Sequence, residues 1–167
     1  MKSFGSFLRQ QEKNPLELDI AVFGMGSFWQ AQPVLDAVDG VLYTQVGYTG
    51  GFGFDHFVSP SYESVCRGRS GYTEAVKVVY DPSVLSYAEL VEIFWQSHDY
   101  STPRKTQYAS ALFYRNKSQK QIAKQSMKER KLSQKSISSA VRPLRNFHEA
   151  EEYHQQYARK TQRSPTN

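Results

Sequence analysis

Runs rich in β-branched and aromatic residues alternate along this chain with stretches whose apolar residues recur at helical spacing. Leu18 to Phe23 is a β-rich run broken by Gly24-Met25-Gly26, the mark of a strand that ends in a tight turn. From Ser27 to Val38 the pattern changes. Phe28, Ala31, Val34, Leu35 and Val38 fall on one face behind a Ser N-cap, which predicts a helix, and Pro33 inside it marks a kink or a later helix start. After the Asp39-Gly40 turn, Val41 to Tyr48 alternates as a strand, and Gly50 to Pro60 is a loop rich in glycine and aromatics. Glu74 to Tyr80 predicts the next strand, ended by Asp81-Pro82, and Ser86 to Ser97 a capped helix with Leu90, Ile93 and Phe94 inward. Gln107 to Tyr114 reads as a strand, and Ser118 to Ser133 as a polar helix anchored by Ile122, Met127 and Leu132. Ile137 to Val141 follows as a short strand and Ala150 to Tyr157 as a last helix. The alternation of strands and helices predicts a mixed α and β domain over 18–159, between an arm (1–17) and a polar tail (160–167).

Composition narrows what such a domain does. With 167 residues, 39% hydrophobic and 14% aromatic, the chain is long enough and apolar enough for one self-sufficient core. No run approaches the ~20 apolar residues of a membrane helix, and Met1 to Pro15 lacks the apolar core of a secretory leader, so a soluble cytoplasmic protein is expected, or a mitochondrial one. The single cysteine, Cys66, excludes an intramolecular disulfide and reads as a buried small hydrophobe. His56, His98, His148 and His154 are scattered without paired ligand spacing, so no metal is expected. The net charge of +5 and the Lys-rich stretch from Lys117 to Lys135 fit a solvated helix better than a nucleic-acid surface.

The stretch richest in chemical content is Gly24-Met25-Gly26-Ser27-Phe28-Trp29. A strand, a glycine turn and a helix start place residue 27 at a helix N-terminus, where free N–H groups favour an anion. Phe28 and Trp29 directly after it suit an apolar wall for a methyl-bearing group. Taken alone, the stretch reads equally as a Ser N-cap followed by two core aromatics. Glu74, Tyr62 and Tyr108 likewise fit a solvated strand start and half-buried aromatics.

Further segments change that balance. Phe23 to Trp29, Gly40-Val41, Val46 to Gly51, Pro60 to Cys66, Gly68 to Val76, Tyr80 to Pro82, Phe94-Trp95 with His98-Asp99, Thr106 to Ser110 and Glu152 to Tyr157 occur in order. In these the chain resembles the peptide methionine sulfoxide reductase A family, from about Asp19 to Arg159. The resemblance implies an α+β fold, a two-layer ferredoxin-like α/β plait with a mixed sheet. It implies reduction of the S epimer of methionine sulfoxide, free or within proteins, by a monomer with no bound cofactor. In the family a cysteine stands where this chain has Ser27, and its thiolate attacks the sulfoxide sulfur. The resemblance gives Glu74 the protonation or polarisation of the sulfoxide oxygen. It gives Tyr62 and Tyr108 hydrogen bonds to that oxygen, and Phe28 and Trp29 the methyl group. An external thiol, thioredoxin or another dithiol, then regenerates the enzyme. The residue types suit these roles: a carboxylic acid in a partly apolar pocket is a fit proton donor, and phenols stabilise charge on oxygen.

Ser27 departs from this pattern. A thiolate accepts oxygen and becomes a sulfenic acid that other thiols reduce, whereas a serine oxygen has no such state and stays protonated near neutral pH. The chain as written is therefore expected not to turn over. Two accounts of Ser27 remain open: replacement of a catalytic cysteine in a working reductase, or a pseudoenzyme that recognises oxidised methionine without reducing it. No resolving cysteine follows Tyr114, and Pro103-Arg104-Lys105 stand where many members carry an aspartate in a longer loop.

Overall fold

In the computed structural model the described residues are 17–51, 59–133 and 136–162. The expectations for the arm before Glu17, for the centre of the glycine-aromatic loop with His56, and for the end of the tail lie outside them. Four strands form the centre of one sheet: β1 (Asp19–Met25), β2 (Val41–Gly50), β3 (Tyr72–Tyr80) and β4 (Ser110–Tyr114). Helix α1 (Phe28–Asp36) connects β1 to β2, the five-residue α2 (Tyr62–Cys66) lies between β2 and β3, and α3 (Tyr87–Gln96) connects β3 to β4. Helix α4 (Lys117–Ser133) leads to β5 (Ser139–Pro143), then come β6 (His148–Glu149) and α5 (Tyr157–Thr161). The strand order β5-β4-β1-β3-β2-β6 contains the β4-β1-β3-β2 centre of a ferredoxin-like plait. Only β4–β5 pairs in parallel, so the sheet is mixed and the fold is α+β.

The period-two pattern explains the two faces. On β3, Val76, Val78 and Tyr80 turn towards the helices and join Phe23, Leu35, Tyr48, Leu90, Phe94 and Leu112 in the main core. Thr73, Ala75 and Lys77 turn to the other face, where Val22, Ala75, Ala111 and Phe113 form a small cluster under Leu144 and Phe147. Capping holds the helices. Ser86 and Glu89 form a reciprocal capping box at the start of α3, and Ser61 and Ser64 do the same for α2.

Three predicted elements differ. Thr106–Tyr108 is a 3-10 turn, so β4 starts at Ser110 rather than Gln107. Helix α4 buries Gln119, Ala123 and Ser126, the last bonded to Trp95 on α3, while the expected anchor Leu132 at its end is 84% exposed. The predicted helix Ala150 to Tyr157 is instead a 3-10 turn (Glu152–His154) entering α5 through Gln156 in the left-handed region (φ 56°). Its polar side chains bond across to other elements, which competes with a helical ladder. Gln155 Oε1 accepts from Val46 N–H at 2.9 Å and its Nε2 donates to Val46 O at 2.9 Å, so one side chain extends the sheet. Gln156 N–H donates to Gln32 Oε1 on α1 at 2.8 Å.

Candidate active site

The site lies where β1 ends, α1 begins and β3 starts. Gly26 holds φ at +79°, a left-handed turn that sets Ser27 at the N-cap of α1. The half-buried Ser27 hydroxyl makes no capping bond. The cap comes from Glu74 instead: Phe28 N–H donates to Glu74 Oε1 at 3.1 Å. Glu74 and residue 27 are thereby brought to the same helix end. The second carboxylate oxygen accepts from Gln107 Nε2 at 2.7 Å.

Glu74 is 2% exposed. Burial raises its pKa above the ordinary carboxylate value, and the bonds from Gln107 and Phe28 N–H and the charge of Lys105 oppose that rise without cancelling it. A helix N-terminus favours the carboxylate, so desolvation is the larger effect. The Tyr62 hydroxyl reaches both the Tyr108 hydroxyl and the Cys66 thiol, and burial raises the pKa of both phenols. Both therefore stay protonated donors at neutral pH. All six residues singled out in the sequence (Ser27, Phe28, Trp29, Tyr62, Glu74 and Tyr108) converge here.

An aromatic wall adjoins the carboxylate through Phe28. Trp29 stacks on Tyr157 with centroids 4.0 Å apart and faces Tyr62 at 6.0 Å. Phe28 packs on Tyr48 at 5.8 Å and on His154 at 5.2 Å. His154, fully buried, accepts the Trp29 indole N–H on Nδ1 at 2.9 Å. A nitrogen that accepts is unprotonated, so the ring is the neutral Nε2–H tautomer, and burial lowers its pKa accordingly. Glu151 joins two sides of the wall by accepting from Tyr48 Oη at 2.9 Å and from Tyr62 N–H at 3.2 Å.

Gln107, His154, Glu151 and Tyr157 were not singled out by the sequence reading. Glu151, His154 and Tyr157 sit in the stretch taken for a helix, and Gln107 in one taken for a strand, so the pattern carried no sign of their direction. Cys66 also needs correction. It is exposed, because it ends the short helix α2 at the rim, and Gln107 Nε2 lies 3.2 Å from its sulfur. No group of three or more His, Cys, Asp or Glu able to hold a metal occurs among the described residues.

Comparison with known proteins fits this geometry. Residues 19–167 match the family described as peptide methionine sulfoxide reductase. Peptide methionine sulfoxide reductase MsrA of Methanococcus maripaludis strain C6 is 42% identical over 146 residues, covering 83% of this chain and 90% of that protein. The crystal structure of Mxr1 from Saccharomyces cerevisiae in reduced form superposes with a TM-score of 0.80 at 29% identity, covering 89% of this chain and 88% of that one. Mxr1 in complex with Trx2 shares the fold at a TM-score of 0.55 and 21% identity, covering 84% and 85%. The chain belongs to the peptide methionine sulfoxide reductase family.

Proposed function

We propose that this site binds the S epimer of methionine sulfoxide in the manner of a peptide-methionine (S)-S-oxide reductase, and that Ser27 withholds the thiol step. Phe28 and Trp29 contact the methyl group, and Tyr62, Tyr108 and protonated Glu74 donate hydrogen bonds to the sulfoxide oxygen. The observation that carries this reading is the buried Glu74 carboxyl, held beside residue 27 by Phe28 N–H and kept above its ordinary pKa. With a thiolate at position 27, sulfur would attack the sulfoxide sulfur as Glu74 protonates its oxygen, and the hydroxyl would then pass to the position-27 sulfur as the S–O bond and the new S–S bond to the substrate break. The products are methionine and a sulfenic acid, and two external thiols convert the sulfenic acid to thiol, water and a disulfide. The reductant in that form is a thioredoxin-type dithiol, supported by the Trx2 complex of the yeast relative, and the cytoplasm is a compartment that supplies it. Serine at 27 lacks the oxygen-accepting step, so the chain as written holds the sulfoxide without reducing it.

The test runs the chain and its Ser27→Cys variant on an S-sulfoxide peptide with excess dithiol. Turnover by the variant alone is expected. Inactivity of both overturns the assignment of the pocket. Turnover by the unaltered chain overturns the role given to position 27.

A further inference from the structure

On the face of the sheet away from the helices, at the same end as Glu74, lies an open cleft of about 550 Å³. Neighbouring residues separate it from the sulfoxide site. Thr73 lines the cleft and Glu74 the site; Thr106 lines the cleft, and Gln107 and Tyr108 belong to the site. Thr73 Oγ1 donates to Thr106 O at 2.8 Å, closing the partition between them.

Among the described residues the charge of this cleft has one sign. Arg104 and Arg142 line it together with serine and threonine hydroxyls and glycine backbone, and no carboxylate lines it among the described residues. Arg104 meets Asp99 only at 3.8 Å, with both side chains 43% exposed, so that pair neutralises little. Arg142 makes no ion pair among the described residues. Arg104 links the cleft to the site's rim across that partition. Nη1 of Arg104 lies 3.7 Å from where a side chain on Gly26 would begin, one residue before Ser27. Lys105 Nζ stands 5.2 Å from the Tyr108 ring centroid. A polypeptide whose oxidised methionine occupies the site would pass its adjoining residues over these cations.

We propose that the cleft is a subsite for a carboxylate side chain next to the oxidised methionine, so that the protein selects methionine sulfoxide in acidic sequence contexts. Guanidinium groups pair with carboxylates through two parallel N–H donors, and the surrounding hydroxyls complete the shell. The inference rests on the proposed function and adds its substrate class.

Three S-sulfoxide peptides that differ only in carrying Glu, Gln or Lys beside the oxidised methionine, each with its unoxidised counterpart, separate the two readings. Binding to the full chain and to R142Q and R142E is measured by calorimetry at low and high salt. The Glu peptide is expected to bind about five- to tenfold tighter than the Gln peptide at low salt, as charge-assisted bonds at a partly exposed site allow. R142Q reduces that preference, and R142E turns it towards the Lys peptide. Equal binding of the Glu and Gln peptides, with oxidised still preferred over unoxidised, overturns the subsite alone. A Glu preference unchanged in both variants also overturns it, assigning the preference to the overall charge of +5. If no peptide binds better oxidised than unoxidised, the proposed function itself fails.

Discussion

The plait centre and the C-terminal segment from Asn146 to Thr161 both build the candidate site, by different physics. The centre places Ser27 and Glu74 through strand register, on a core of buried Phe23, Val76, Phe94 and Leu112. The C-terminal segment places the aromatic wall through single polar bonds: Gln155 to Val46, Gln156 to Gln32, and His154 to Trp29. Gly47 shows how closely the two meet, since a side chain there would run into the backbone oxygen of His148. Apolar register fixes position cooperatively, whereas a polar clasp fixes it one bond at a time. Ser27, Glu74, Phe28 and Trp29 thus sit on the part set by apolar register, while His154 and Tyr157, which back Trp29, sit on the part that loosens more readily.

The widest gap between the two regions is expected at Glu74. In the Ser27→Cys background, Glu74→Gln should lower the reduction rate by about 10²- to 10⁴-fold, the usual worth of a positioned proton donor, with the fold retained by circular dichroism. The pH profile sharpens this. Because the pKa of Glu74 is raised, its protonated donor form persists above the ordinary carboxylate range and is lost as pH rises through the raised value. The rate should fall on that limb, and Glu74→Gln should remove the limb.

Core truncation comes next. Phe94→Ala should cost about 3–5 kcal/mol of stability in denaturant unfolding, as for large-to-small changes in a filled core. A smaller cost is expected in the clasp. His154→Phe leaves the Trp29 indole N–H without its acceptor and should cost about 1–3 kcal/mol, while weakening sulfoxide binding more than it slows the reduction step in the Ser27→Cys background. Equal losses at Phe94 and His154 would erase the distinction between the regions. Leu132→Ser should lie within about 0.5 kcal/mol of no change, since the side chain is 84% exposed.

The same contrast governs what could be read from the sequence. The four central strands and helices α1 and α3 announce themselves through alternation and helical spacing, because burying one face imposes those periods. The clasp has no period: Glu151, His154 and Gln155 act through directed side-chain bonds to distant elements, and only the folded chain shows their partners. Helix α2 is too short to show a helical period, so the pattern does not predict it, although its Ser61–Ser64 box is present. Val34, expected on the inner face of α1, is 39% exposed, since Phe28, Ala31, Gln32 and Leu35 take that side. Of the site residues, those on the glycine turn stand out by their chemistry, although the stretch alone also reads as a Ser N-cap followed by two core aromatics. Glu74, Tyr62 and Tyr108 are named only through the family resemblance and Gln107 not at all, because a glutamate, a glutamine and two tyrosines far apart in sequence meet only in three dimensions.

The proposed sulfoxide site lacks one sulfur atom, at position 27. This is tested most directly by a single-turnover experiment without reductant. The unaltered chain and Ser27→Cys are mixed with excess S-sulfoxide peptide, and methionine and protein sulfenic acid are counted together. The account predicts one methionine and one sulfenic acid per Ser27→Cys chain, on residue 27, and none from the unaltered chain. Methionine formed by the unaltered chain, or a sulfenic acid on Cys66 in place of residue 27, would contradict it.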